Sequence, residues 1–299
     1  MRTTIFVGAG FSKWSCDLPL VSDLFDYDIS LIRNKDEIWF KKIVLAKEKW
    51  DKLNPNMNNE LFIKDILEQS KPRIKKYLSK YLTRRLSEPF LCNTYSSIQT
   101  YMFNDSLLKK NEGINKAKLF FEDIGLDNIE GIITTNYDLI CEYSLGTAKF
   151  NYGVKDEVVC GRGHNPTFPW QHTPVILKGN IVISKIHGSL SFDGVNYWSS
   201  GSCGLKGSAL IVPPYPEKHI HPFLKREWRN SLVCLKKSQR LIVFGFNFNP
   251  YDIAVLDLLK KGSTSIKEVL IYDVESKMEK ASMIWSKDII KEFNISILK

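Results

Sequence analysis

The chain has 299 residues, 43% hydrophobic and 25% charged, with 42 Lys and Arg against 33 Asp and Glu and a net charge of +9. That balance excludes a collagen-like or disordered chain and suits one large soluble domain or two small ones. No apolar run approaches the roughly 18 residues of a membrane helix and the N-terminus lacks a secretion-signal layout, so the sequence predicts a cytoplasmic protein with no membrane contact.

The first element is Thr3-Thr4-Ile5-Phe6-Val7, a short β-branched apolar run that reads as a buried parallel strand. It runs into Gly8-Ala9-Gly10-Phe11-Ser12, where the backbone can turn tightly and a phosphate could lie against bare amides. A nucleotide is the first ligand this suggests; a plain glycine turn after a core strand is the alternative. The dinucleotide fingerprint would want a third glycine where Lys13 stands. Asp17-Leu18-Pro19 then reads as a turn into a helix.

From about Val21 to Glu122 the pattern is helical. Ile38, Phe40, Val44 and Leu45 mark one periodic face, Leu61, Phe62, Ile66 and Leu67 a second, and Tyr95, Ile98, Tyr101 and Met102 a third. Asn54-Pro55-Asn56 separates the first two. Within this stretch Lys71 to Arg85 is dense in positive charge. Ile74, Leu78 and Leu82 recur every fourth residue, which predicts an amphipathic helix with a basic outer face. That face is either simply solvated or a docking surface for an acidic partner or nucleic acid.

Strand signals then return at 131–135, 181–186, 209–212, 241–245 and 269–272. Their near-continuous apolar character suits strands covered on both faces. Helices are expected between several of them, at Phe223–Lys237 and at Tyr251–Lys261, the latter with Asn249 as N-cap and Pro250 at its first position. Lys149 to Lys178, rich in Gly, Pro, His and aromatics, reads as irregular loop. The alternation gives an α/β fold, a Rossmann-like doubly wound parallel sheet, with residues 21–125 as a large helical insertion in a single domain spanning 1–299. Ligands of such sheets bind at the carboxyl ends of the strands.

Those ends carry the chemistry. The strands run into Gly8-Ala9-Gly10-Phe11-Ser12, Thr134-Thr135-Asn136-Tyr137-Asp138, Ile186-His187-Gly188-Ser189 and Gly245-Phe246-Asn247-Phe248-Asn249. An amide, a carboxylate, an imidazole and two glycine turns therefore converge on one edge, which suits a nucleotide site with a general acid/base. Asn136 and Asp138 could instead cap the next helix, and His187 could be an ordinary loop histidine. Cys16, Cys92, Cys141, Cys160, Cys203 and Cys234 form no C-x-x-C pair, and His164, His172, His219 and His221 have no partner at ligand spacing, so no metal is expected. Cys141 and Cys234 lie in apolar segments and read as buried thiols.

Together these motifs resemble the sirtuin family. Gly8-Ala9-Gly10-Phe11-Ser12 matches its Gly-Ala-Gly-x-Ser, Thr134-Thr135-Asn136-Tyr137-Asp138 is similar to its Thr-Gln-Asn-hydrophobe-Asp, and His187-Gly188 matches its catalytic His-Gly. Gly245-Phe246-Asn247 stands where the family has Gly-Thr-Ser. The four-cysteine zinc module of the protein deacylases is missing, no arginine-bearing segment follows the first motif, and Asn136 and His187 are farther apart than in deacylases. The helical insertion and the tyrosine in Thr-Thr-Asn-Tyr-Asp look like the bacterial sirtuin-like branch used in antiphage defence, whose members cleave NAD+.

The resemblance implies NAD+ as substrate, cleaved to nicotinamide and ADP-ribose. It implies that Gly8, Ala9, Gly10 and Ser12 hold the diphosphate and adjoining ribose, that Asn136 orients the nicotinamide ribose and the water, and that Asp138 binds the carboxamide. His187 would be the general base. Gly245 and Asn247 would contact phosphate or the adenosine ribose, and Asp273 a ribose hydroxyl. It also implies a homo-oligomer or a separate sensor or ATPase subunit. An NAD+ or ADP-ribose sensor without turnover and a zinc-free deacylase are the alternatives.

Overall fold

The structure, a computed structural model, describes residues 1–26, 38–55, 57–87, 112–154, 157–162, 172–192, 210–212, 220–250 and 252–297. Its centre is a seven-stranded parallel sheet. The strands are β1 (Thr3–Val7), β2 (Ile129–Thr134), β3 (Phe150–Asn151), β6 (Ile181–Lys185), β9 (Arg240–Phe244), β10 (Glu268–Asp273) and β11 (Ile290–Asn294), in the order β11-β10-β9-β1-β2-β6-β3. The chain fills one side of β1 first and then returns to β9 on the other side. The order reverses between β1 and β9, which is where a doubly wound sheet opens a crevice beyond its strand ends.

Alternation within the strands explains the two buried layers. Ile5, Val7, Ile132, Ile183 and Phe244 face one way and pack with Phe11, Phe121 and Ile140. Phe6, Ile133, Val243 and Ile271 face the other way and pack with Leu235, Val255 and Leu259. The first layer is covered by α1 (Ala9–Cys16), α5 (Glu112–Ile124) and α6 (Ile140–Leu145), the second by α7 (Lys225–Lys237) and α8 (Ile253–Gly262). A short α9 (Met278–Ala281) adds Ala281 to the second layer.

The helical segment is a separate packing unit. In it, α2 (Ile38–Leu53), α3 (Asn59–Gln69) and α4 (Pro72–Ser87) enclose Phe40, Ile43, Phe62, Ile66, Leu78, Tyr81 and Leu82. The break at Asn54 and Pro55 falls between α2 and α3 as expected. Leu78 and Leu82 face inward, and Lys71, Arg73 and Lys76 are exposed. Residues 21–25 form turns, not the start of a helix. The face expected at Tyr95, Ile98, Tyr101 and Met102 lies outside the described residues, as do Cys92, Cys203, His164 and His219.

Several local elements differ from what the sequence pattern predicts. The segment after β1 turns directly into α1, which ends with Asp17 in the left-handed conformation at φ 53°. Residues 149–178 are not all loop. They hold β3 and an antiparallel hairpin of β4 (Glu157–Arg162) with β5 (His172–Leu177). The strand expected at 209–212 is no part of the main sheet: β8 (Leu210–Ile211) pairs antiparallel with β7 (Gly188–Ser189). β11 lies beyond the last strand that patterning suggested. Its burial alternates poorly because it is an edge strand, with Lys291, Glu292, Phe293 and Asn294 exposed.

Candidate functional site

The glycine turns of β1 and β9 close on each other at the topological switch point. The Gly8 amide donates to the Phe244 carbonyl at 2.9 Å, and that of Gly10 to the Gly245 carbonyl at 2.9 Å. Gly245 sits at φ +61°, and a Cβ on it would lie 2.4 Å from the Gly10 Cα. The glycines are thus dictated by two backbones in contact, and the Gly8 and Gly10 amides are engaged within the protein. Ala9 is the first residue of α1, at the positive end of the helix dipole.

Around that turn stands a polar network. Asn136 donates through Nδ2 to the Gly8 carbonyl and to Ser12 Oγ, both at 2.8 Å. Ser12 Oγ donates onward to Asp138 Oδ2 at 2.6 Å. The other Asp138 oxygen accepts the Ile140 amide at 3.0 Å, which fixes the start of α6. Both amide hydrogens of Asn136 are therefore engaged, so Oδ1 is the atom it can offer a ligand, as an acceptor. Ser12 has its one proton committed to Asp138 and acts as the node between the first two motifs. Asp138 thus bonds the first turn of α6 and Ser12 at the same time. Asn136 is half-buried, and Ser12 and Asp138 are buried.

Beneath Asp138 lies a buried ion pair that patterning did not single out. Lys185, the last residue of β6, donates through Nζ to the Asp138 carbonyl and pairs with Glu142 Oε1 at 3.2 Å. Tyr152 OH donates to the same carboxylate oxygen at 3.1 Å. Burial pushes the Glu142 carboxyl above its ordinary range, opposed by the Lys185 ammonium. The Lys185 amide in turn donates to Glu227 Oε2 at 2.8 Å, on α7. A signal was present in the sequence: a lysine ends an apolar strand and a glutamate interrupts the apolar Ile140–Leu145.

His187 follows Lys185 by two residues and is 1% exposed. Gly188, at φ +90°, is required there because a Cβ would stand 2.0 Å from the Leu210 carbonyl oxygen of the paired β8. The His187 carbonyl accepts the Val212 amide at 2.8 Å, and the carbonyl before it accepts the Trp228 indole at 3.1 Å. Through its side chain, His187 Nε2 lies 3.5 Å from Asp252 Oδ1. The loops of the second and third motifs are tied together: the Leu190 amide donates to the Tyr137 carbonyl at 2.9 Å, and Tyr137 OH donates to the Val212 carbonyl at 3.2 Å. Burial pushes the Tyr137 phenol well above its ordinary range, and the Asp252 charge adds to this.

Other candidates stand apart from this group. Asn247 is exposed, and its carbonyl and Oδ1 both accept from Lys280 Nζ. Asp273, at the end of β10, accepts the Val274 amide at 2.8 Å and lies 3.6 Å from Lys277 Nζ. It borders a cleft of about 240 Å³ with Glu275, Glu292 and Asn294. Among the described residues, no group of three or more His, Cys, Asp or Glu is placed to hold a metal ion. No described helix is long and apolar enough to cross a membrane. Cys16, Cys141 and Cys234 are free buried thiols, and burial pushes Cys16 and Cys234 up to about 12.

No protein-family model matches the sequence, and no curated protein matches it. Among solved structures, the chain is similar to one from a study of the mechanism and regulation of Sir2 enzymes, at 12% identity and a TM-score of 0.41 over 99% of this chain and 88% of that one. It is also similar to a mutant Sir2 homologue in complex with ADP-ribose, at 13% identity and a TM-score of 0.39, covering 98% and 86%. A third is Sir2 bound to an acetylated peptide, at 14% identity and a TM-score of 0.38, covering 99% and 87%.

Proposed function

We propose that this protein is an NAD+ glycohydrolase that releases nicotinamide and leaves ADP-ribose. The observation that carries the reading is the network Gly8–Asn136–Ser12–Asp138, set beside the β1/β9 switch point with His187 at the end of the next strand but one. Three of the four motifs of the sirtuin resemblance supply this network and its imidazole: Gly8 and Ser12 from the first, Asn136 and Asp138 from the second, His187 from the third. The Sir2 homologue whose complex holds ADP-ribose is in keeping with the product proposed.

Breaking the bond between the nicotinamide nitrogen and ribose C1′ builds positive charge on the sugar. The electron pair of that bond leaves with nicotinamide, and water supplies the new C1′–O bond. Asn136 is suited to orient that water or a ribose hydroxyl, because only its Oδ1 remains to accept from a ligand. Asp138, held by Ser12 and the α6 amide, provides a fixed negative charge near the developing cation. His187 takes the proton from water or hydroxyl, and its ordinary pKa of about 6.5 suits a base near neutral pH. In this reading Gly8, Ala9, Gly10 and Gly245 would lie against the diphosphate, and Asn247 and Asp273, which stand apart from the network, would contact the adenosine ribose. The biological role in this reading is NAD+ depletion during phage infection, carried out by a homo-oligomer or with a separate sensor or ATPase subunit.

The test follows nicotinamide release from NAD+ by purified protein, alone and with phage lysate as activator. Wild type should release it, and His187→Ala and Asn136→Ala should each slow release by about 10²-fold or more. Equal rates in all three proteins sink the assignment. Release that requires an acyl-lysine peptide turns the reading to deacylation. Saturable NAD+ or ADP-ribose binding without cleavage in any mixture turns it to a sensor.

A further inference from the structure

Asp252 stands at the N-cap of α8, three residues after Asn249, the N-cap that helix patterning favours. An aspartate there normally accepts an amide hydrogen of the first turn, a contact worth about 1 kcal/mol. Asp252 makes no such side-chain bond, although its carbonyl accepts the Val255 and Leu256 amides. Its carboxylate instead lies 3.5 Å from His187 Nε2. Both side chains are buried, at 6% and 2% exposure. The positive end of the α8 dipole favours the ionised carboxylate at this place.

We propose that Asp252 is a positioning residue for the reaction assigned above, holding His187 with its proton on Nε2. The inference rests on His187 being the base of that reaction. With Nε2 protonated and directed at the carboxylate, Nδ1 carries the lone pair. In the step, the proton of the water or ribose hydroxyl moves to Nδ1 and its electron pair stays on oxygen. Asp252 remains ionised and faces the imidazolium that forms. The contact is long for a hydrogen bond, which suits a resting state in which the ring is neutral and shortens once it is charged.

Two measurements decide this. In the first, NAD+ cleavage is followed for wild type, His187→Ala, Asp252→Asn and Asp252→Glu. Asp252→Asn should lower kcat by about 10²-fold or more with KM and thermal stability little changed, since the native carboxylate supplies no cap; Asp252→Glu should recover part of the rate. If His187→Ala is inactive while Asp252→Asn turns over normally, the positioning role fails and the base assignment stands. If His187→Ala is as active as wild type, the base assignment itself fails. The second measurement needs no turnover. Nitrogen-15 spectra of protein with labelled histidine, the His187 signals identified by their loss in His187→Asn, should show Nε2 protonated in wild type. They should show a mixture of tautomers in Asp252→Ala. A proton on Nδ1 in the wild-type protein overturns the proposal.

Discussion

The strand-end site and the α2–α4 lobe are held together by opposite means. At the site, buried polar groups determine one another: Asn136, Ser12, Asp138, Lys185 and Glu142 form a continuous chain of hydrogen bonds and one ion pair. In the lobe, aromatic and aliphatic packing does the work. Phe25 stacks on Tyr81 at 5.2 Å and meets Phe62 edge-on at 5.0 Å, while the outer face is basic. The two meet at Tyr137, Leu190 and Ile211, which pack into the lobe's core one to three residues after Asn136 and His187 in the first two cases. Apolar packing tolerates local repacking; a satisfied polar chain does not. The lobe can therefore vary while the site keeps its geometry, and the contrast can be tested one element at a time.

The largest effect should come from Lys185→Met. It leaves Glu142 buried without its cation, a change that costs about 3–5 kcal/mol where one member of a buried pair is removed. Equilibrium denaturation would measure it. The pH dependence has a defined sign. Without Lys185, the Glu142 carboxyl moves further above its ordinary range in the folded state. Folding then takes up a proton, so the deficit is smallest below the ordinary carboxylate range and grows as pH rises through the folded value. A deficit that shrinks toward neutral pH would show that Glu142 is not the group left stranded.

Next in size is Gly245→Ala, with a Cβ 2.4 Å from Gly10 and a residue at φ +61°. Strain and overpacking together should cost about 3 kcal/mol. Because the displaced atoms are backbone on both sides, the Gly8 carbonyl that anchors Asn136 would move as well. NAD+ binding by calorimetry should weaken even in whatever fraction stays folded. Unchanged stability would mean that the two turns are not in contact.

How much of this was legible in the sequence follows the same division. The sheet strands were readable because burial on both faces makes Ile132, Ile133, Leu241, Ile242 and Val243 uninterruptedly apolar. The motifs were readable because polar residues follow such runs abruptly. What escaped depends on pairing across the fold. Two-residue strands such as β7 and β8 have no periodicity to detect. β11 is exposed on one edge and carries Lys291 and Glu292. Asp252 looked like part of a helix begun at Asn249, because a helix start is inferred from capping residues and here the capping side chain faces an imidazole instead. Lys185 and Glu142 lie 43 positions apart, and nothing local marks them as partners.

In the lobe, the effects should be smaller. Tyr81 OH donates to the Leu24 carbonyl at 2.9 Å, a bond that Arg85 Nε also makes at 3.1 Å. Tyr81→Phe removes one of two donors and no ring packing, so its cost should be about 1 kcal/mol. A loss several times larger would put polar determination inside the lobe and erase the contrast with the site.

The smallest effect is expected on the outer face of α4. Lys71 and Lys76 are exposed, and the inward-facing Leu78 and Leu82 are already buried without them. Reversing both charges, Lys71→Glu with Lys76→Glu, should change stability by less than about 0.5 kcal/mol. The same variant also separates the two meanings of the basic face. If that face binds nucleic acid, removing two phosphate contacts lowers the slope of log affinity against log salt by about 2. If it is only solvated, retention on a DNA column at low salt falls modestly with net charge and shows no such change in slope. Chemical denaturation and salt-dependent binding on one pair of proteins thus show whether the lobe adds a surface of its own or serves only to support Tyr137 and Leu190.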